Sequence, residues 1–281
     1  MKYPVQTCAG ILYNDSELFQ QHFMIVSDKL SVFSKRTESI LAAPFEWCYI
    51  PGGAVTLIDA SDYGGTPGGI YHIADFAIAK YLITNSQYQN FLDHPNGFVN
   101  IEWWNYSPQA ILWRRDHRKP KPTAFAGTDL PRTRISWFDG VAFCNWLSSE
   151  LGELRVRLPT EQEWQRAAVG DSDWSYPWGH EIDGSRANFA NNIGKVSPVG
   201  SFPAGQSPFD VTDMVGNLWE WNLTKWGTND TTLDGYVYRN YRGGAWNVSN
   251  PEYLRATDRG EGHSPRGQLN DAGLRIVLQL L

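Results

Sequence analysis

Cysteine is scarce. The 281 residues hold three, Cys8, Cys48 and Cys144, an odd number without metal-ligand spacing. A disulfide framework is therefore not expected, which favours a reducing compartment. Long apolar runs are missing too. The opening "MKYPVQTCAGILYNDSELF" lacks the hydrophobic stretch of a signal peptide, and no segment reaches membrane-spanning length. The expectation is a soluble, cytoplasmic chain with no membrane partner. Positive charge is in the minority, with Lys+Arg at 24 against Asp+Glu at 30 and a net charge of −6. Nucleic acid is therefore not an expected partner. The one basic run, "WRRDHRKPKP" over residues 113–122, contains an acid and two prolines and reads as a solvated loop.

Catalytic signatures are equally sparse. The histidines (His22, His72, His94, His117, His180 and His263) are scattered, with no H-x-x-x-H pair. There is no G-x-S-x-G elbow, phosphate-binding loop or dinucleotide fingerprint. Glu161 and Glu163 stand at a helix start, where the macrodipole and capping account for them. No internal repeat and no interdomain linker after residue 44 can be discerned.

Aromatic residues are what the chain has in quantity: Trp, Tyr and Phe at 13 each, within 42% hydrophobic residues. That suits a packed core and excludes general disorder. Residues 1–44 form an opening segment with one or two helices, capped at Asp15 or Ser16, and residues 45–281 form the main domain. "FEWCYIPGGAV" predicts a strand broken at Gly52–Gly53, and "IYHIADFAIAKYLIT" predicts short strands. Helices are predicted over "NSQYQNFLDH" after Thr84 or Asn85, over "SWFDGVAFCNWLSSELG" from Ser136, and over "TEQEWQRAAVG" from a Thr160–Glu163 capping box. Residues 96–134 read as a long folded loop. Beyond Gly170 only short strand-like pieces stand out, "PVGSF", "LWEW" and "LRIVL". So much loop needs bracing, and the tryptophans are the obvious braces.

"RLPTEQEWQRAA", "YPWG", "ANF", "PVGSFPAGQSPFDVTDMVGNLWEW" and "YRGGAW…LRATDRG…GLRIVL" follow one another in register. Together they resemble the formylglycine-generating enzyme family, the sulfatase-modifying factor domain, over roughly residues 45–278. The resemblance implies an α+β fold of C-type-lectin type, with two helices, short twisted antiparallel sheets and much ordered loop. It also implies copper held by two cysteines, at positions that here carry Val248 and Tyr253. Neither can stand in for thiolate, and no cysteine follows Cys144. Ergothioneine-type relatives add an iron-binding helical domain, for which residues 1–44 are too short. Neither copper nor enzymatic activity is therefore expected.

The C-terminal frame also resembles variable proteins of diversity-generating retroelements, whose hypervariable segment lies at the extreme C-terminus. There, mutagenic copying of adenines turns asparagine codons into Asp, His, Tyr, Ser, Gly or Val codons. Within residues 242–278 the positions so reachable are Asn247, Val248, Ser249, Asn250, Tyr253, Asp258, Gly260, Gly262, His263, Asn270 and Asp271. Trp246 falls outside that filter but joins the expected face as a rigid aromatic. Arg255, Arg259 and Arg275 are expected to pin the loops. The implied function is non-enzymatic display of a diversified recognition surface for a protein ligand. The alternatives are a regulatory member of the family without diversification, or an oxidase-like enzyme. Finally, the resemblance implies structural calcium at "FDVTDMVGNLWEW", through Asp213, the carbonyls of Gly216 and Leu218, and Glu220. The other reading of that stretch is that Asp213 caps a turn and Glu220 pairs with an arginine.

Overall fold

The computed structural model describes residues 17–152, 154–259 and 262–280. Among them are the helices α1 (Glu17–Leu41), α2 (Asn85–Asp93), α3 (Pro108–Asp116), α4 (Trp137–Leu151) and α5 (Glu161–Val169). The strands are β1 (Trp47–Ile50), β2 (Gly53–Leu57), β3 (Gly69–Ile73), β4 (Phe76–Ala79), β5 (Arg155–Arg157), β6 (Trp219–Lys225), β7 (Arg239–Arg242), β8 (Gly262–His263), β9 (Ala272–Gly273) and β10 (Val277–Gln279).

One sheet runs β1-β4-β10-β5, a second is the β2–β3 hairpin, and a third runs β8-β7-β6-β9. All pairings are antiparallel except β6 with β9. β10 therefore slots between β4 and β5 from the far end of the chain. The shortness of these strands fits the α+β class read from the motifs.

The opening helix is built into this fold. Leu30 and Leu41 of α1 enter the core beside Phe45 and Trp47. The Trp47 indole donates to Thr37 Oγ1 at 3.0 Å, and Gln87 Nε2 donates to the carbonyls of Ala42 and Pro44. Asp15 and Ser16, the expected caps, lie outside the described residues.

Helix starts follow their local chemistry. Thr84 and Thr160 each close a reciprocal capping box, and Ser136 accepts from the Asp139 amide. Two expectations need correction. The supposed loop at 96–134 contains α3 and a 3₁₀ turn, Ile101–Trp104. The start signal was present: Ser107 caps the Ala110 amide and Pro108 occupies the first helical position. Its weak amphipathic pattern follows from Arg114, which is buried beside the apolar Ala110 and Trp113. "PVGSF" is a turn rather than a strand, with Gly200 at a φ of +72°.

The tryptophans do brace the loops. Trp104, Trp137, Trp146, Trp164 and Trp221 are fully buried. Trp137 donates to the Asn222 carbonyl at 2.8 Å, and Trp221 to that of Ile135 at 3.1 Å. Apolar bulk and a single N–H let each indole fill the core while satisfying a backbone group.

The α5 capping box carries a pH prediction. Burial opposes charge on Glu163, but Arg157, with both guanidinium nitrogens at 2.6 Å, and Thr160 outweigh it and hold the carboxyl below its ordinary value. The folded state thus binds fewer protons than the unfolded one. This contribution is complete above the unfolded value, near 4.5, and is lost as pH falls through the lower folded value. Urea midpoints at pH 7 and pH 3.5 should differ less in Glu163→Gln than in the parent chain.

Candidate functional site

Glu161, at the first position of α5, has no exposed surface and lies between two arginines. Arg242, from β7, donates to Glu161 Oε1 at 2.7 Å, to Gln165 Oε1 at 2.9 Å and to the Ala256 carbonyl at 2.6 Å. Arg259 grips both Glu161 oxygens at 3.0 and 2.9 Å and reaches the carbonyls of Ile58 and Thr66. One carboxylate thus ties α5, β7, the 58–66 loop and the C-terminal segment together. Burial pushes Arg242 below its ordinary value, while Glu161 and then Asp258 act to hold its charge.

Above this knot opens a cleft of about 710 Å³. Ile58, Asp59, Trp226 and Tyr238 line it together with Asn250, Tyr253 and Asp258 of the C-terminal segment. Tyr238 is 53% exposed and Tyr253 48%. Two rings and several short polar groups therefore face solvent over a rigid base. Arg255 is no buried clamp: it pairs with Glu252 at 2.5 Å near the surface.

The expected variable positions do not all share this cleft. Asn250, Tyr253, Asp258 and Gly262 line it, and Ser249 is exposed nearby in sequence. Asn247 donates to Asp271 at 3.1 Å, and Asn270 accepts from Arg134 at 2.7 Å, so these three form a separate polar cluster. Val248 is half-buried against the Tyr176, Ala187, Val215 and Leu254 cluster. His263 is half-buried among Trp221, Tyr238 and Tyr241. Gly260 lies outside the described residues.

Two expectations are corrected here. Trp246 is no exposed platform, since it packs on the Leu82, Leu130, Val196 and Leu218 cluster with its ring edge-to-face on Phe125. Gly262 cannot vary in place, because a Cβ there would lie 2.4 Å from Trp226. The sequence reading also missed Trp226 and Tyr238, although the aromatic run "YVYR" just before "RGGAW" was a visible signal. It took Glu161 for a dipole residue, and only the fold shows two arginines converging on it.

The metal expectations meet this geometry unevenly. Asp213 Oδ2 accepts from the Gly200 amide at 2.8 Å and from the Thr212 hydroxyl at 3.3 Å, and burial pushes its carboxyl up. Glu220 is not open to calcium. Arg275 holds both its oxygens at 2.8 and 2.9 Å, and the Trp164 indole donates to one of them at 2.9 Å. That is the arginine-pair reading of the loop, and the four-ligand set does not fit calcium as arranged. The copper positions Val248 and Tyr253 offer a hydrocarbon and a phenol. Burial pushes the Cys48 thiol up to about 12 and raises that of Cys144 as well, so neither is thiolate at neutral pH. No group of three or more His, Cys, Asp or Glu side chains able to hold a metal ion comes together among the described residues.

Residues 37–280 match the model of the sulfatase-modifying factor enzyme 1-like domain. The chain belongs to that family. Within the sulfatase-modifying factor family it is 31% identical over 242 residues to the hercynine oxygenase of Mycobacterium tuberculosis, covering 75% of this chain and 54% of that one. It is also 31% identical over 227 residues to the formylglycine-generating enzyme of the same organism, covering 63% and 73%. The mouse inactive C-alpha-formylglycine-generating enzyme 2 is 26% identical, covering 82% and 84%. Treponema denticola variable protein 1 has the same fold, with 19% identity and a TM-score of 0.60 over 84% of this chain and 96% of that one.

These relatives overturn the expectation that the chain is not an enzyme. Hercynine oxygenases and formylglycine-generating enzymes are enzymes by name, and kinship with them points towards catalysis. The chain spans little more than half the length of the hercynine oxygenases it matches. No helix among the described residues is long and apolar enough to cross a membrane.

Proposed function

We propose that this chain recognises a protein ligand in the cleft above Glu161, using the 242–278 segment as a face that tolerates variation. One observation carries the reading: anchoring and display are separated within a single segment. Arg242, Arg259 and Arg275 are buried and tied to other elements, while Ser249, Asn250 and Tyr253 are exposed. Exposed substitutions away from special contacts usually change stability by less than about 0.5 kcal/mol. Rigid tyrosines beside adaptable Asn and Asp groups are the chemistry of protein-binding loops. The cleft volume lies within the usual range for ligand pockets.

Kinship with named enzymes supports a second reading, in which the same cleft holds a substrate. The cytoplasm, where free thiols persist, is the compartment that suits either role. Affinity capture with the parent chain and with a Tyr253→Ala, Asp258→Ala variant tests the cleft. Loss of the captured partner is expected, and an unchanged partner set counts against this face. A near-copy of the segment beside a reverse-transcriptase gene, differing at adenines, would establish diversification.

A further inference from the structure

The basic run at 114–121 is absorbed by neither reading. In a chain of net charge −6 it sets Arg114, Arg115, Arg118, Lys119 and Lys121 against Asp116 alone. The structure turns part of it into a helix beside an open groove. Between the Ile101–Trp104 turn and α3 lies a groove of about 580 Å³, lined on the turn's side by Ile101, Glu102, Asn105 and the buried Trp104, with Asn105 donating to the Glu102 carboxylate at 3.4 Å. Ile111, Arg114 and Arg115 also line it, at helical intervals of three and four residues, with Arg118 just past the helix end. The apolar end of that stripe is at the start of α3 and the cationic end at its close.

The side chains along the groove are unusually open for their chemistry. Ile101 is 65% exposed and Ile111 48%, with Val99 and Leu112 exposed alongside. Scattered exposed aliphatics are ordinary, but several together with a charged rim mark a binding surface. Arg114 is held locally: its guanidinium lies 4.4 Å over the Phe98 ring and 5.0 Å over Trp104, and it donates to the carbonyls of Phe98 and His117. Arg115 pairs with exposed Asp116, a contact that is cheap to exchange. Arg118 donates through Nε to the Arg115 carbonyl at 3.3 Å and forms no carboxylate pair among the described residues. The helix C-terminus accounts for cations in its last turn. It does not account for Arg118 beyond the helix, nor for isoleucines left in water.

Both walls are helical, so their backbone groups bond internally and offer no strand edge to an extended peptide. An apolar trough with cations at one end instead matches a tail and a negative head. We propose that this groove binds a single-chain amphiphile with an anionic head, an acyl carboxylate. Its tail lies along Ile101 and Ile111, and its head meets Arg115 and Arg118. This site is distinct from the cleft above Glu161.

The test uses the full chain with dodecanoate below its micelle-forming concentration. Dodecyltrimethylammonium supplies the same tail with the opposite head, and acetate the head alone. Dodecanoate should shift the methyl NMR signals of Ile101 and Ile111 and bind at least tenfold more tightly than either control. Arg118→Glu should weaken it at least tenfold, and Ile111→Asp should abolish saturable binding. Both variants should keep the parent melting temperature, because both side chains reach solvent, while Tyr253→Ala should leave dodecanoate binding unchanged. Equal affinity for the two head groups overturns the proposal. So do unchanged binding in Arg118→Glu, shifts confined to other residues, or no binding at all.

Discussion

Glu161→Ala is expected to lose about 3–5 kcal/mol of folding stability, the usual result of leaving buried charge without its partner. Two guanidiniums converge on this carboxylate, and neither Arg242 nor Arg259 has more than 3% of its side chain exposed. After truncation Arg242 would keep Gln165 and the Ala256 carbonyl, and Arg259 would keep the Ile58 and Thr66 carbonyls. Those are neutral acceptors, and two buried cations would then be left with Asp258, near Arg242, in place of a directly bonded carboxylate. The 58–66 loop and the C-terminal wall should open before the rest, seen as faster amide exchange there. Glu161→Gln keeps an acceptor and the shape, so its loss should be smaller. In a double-mutant cycle with Arg259→Met, non-additivity of about 0.5–3 kcal/mol is expected. A denaturant midpoint for Glu161→Ala within experimental error of the parent would sink this account of the knot.

Glu220→Ala should be of similar size, again about 3–5 kcal/mol, because Arg275 has no exposed side-chain surface and no other carboxylate at ion-pair distance among the described residues. Arg275 also holds the carbonyls of Ala79, Lys80 and Thr212, which join the β4 end to the approach to β10. The informative comparison is the joint replacement Glu220→Leu with Arg275→Met. Exchanging a buried pair for hydrophobic residues is often neutral or stabilising, whereas removing one partner is not. The double variant should therefore be more stable than Glu220→Ala alone. A calcium-dependent rise in melting temperature that vanishes in Glu220→Gln would return this residue to a ligand role.

Local signals in the sequence carried far. Capping chemistry at Thr84, Ser136 and Thr160 located three helices, since a cap is decided by a handful of neighbouring atoms. The ordered motifs carried the family and its fold. What stayed hidden depended on distant partners. α3 was missed because Arg114 interrupts its apolar stripe, and only Phe98 and Trp104 explain why an arginine is comfortable there. Glu161 looked like a helix-start acid until Arg242 and Arg259, about eighty and a hundred residues away, converged on it. The cleft was partly legible: Tyr253 and Asp258, expected to be variable, line it, but no codon rule shows Trp226 pressing on Gly262. Kinship with enzymes was legible in the same motifs, but Val248 and Tyr253 at the thiol positions led to an expectation of no activity, which the relatives overturn.

The placement of β10 bears on how the chain comes to be folded at all. Its neighbours β4 and β5 are made long before it, with nearly two hundred residues separating β4 from β10. At ordinary synthesis rates that gap lasts roughly 10–40 s for β4 and roughly 6–24 s for β5, during which each presents an unpaired edge on the ribosome. Pairings between such distant segments also form slowly. The nascent chain is therefore most vulnerable to aggregation before its last strand emerges. The arginine knot around Glu161, which needs Arg259, must close in the same late step.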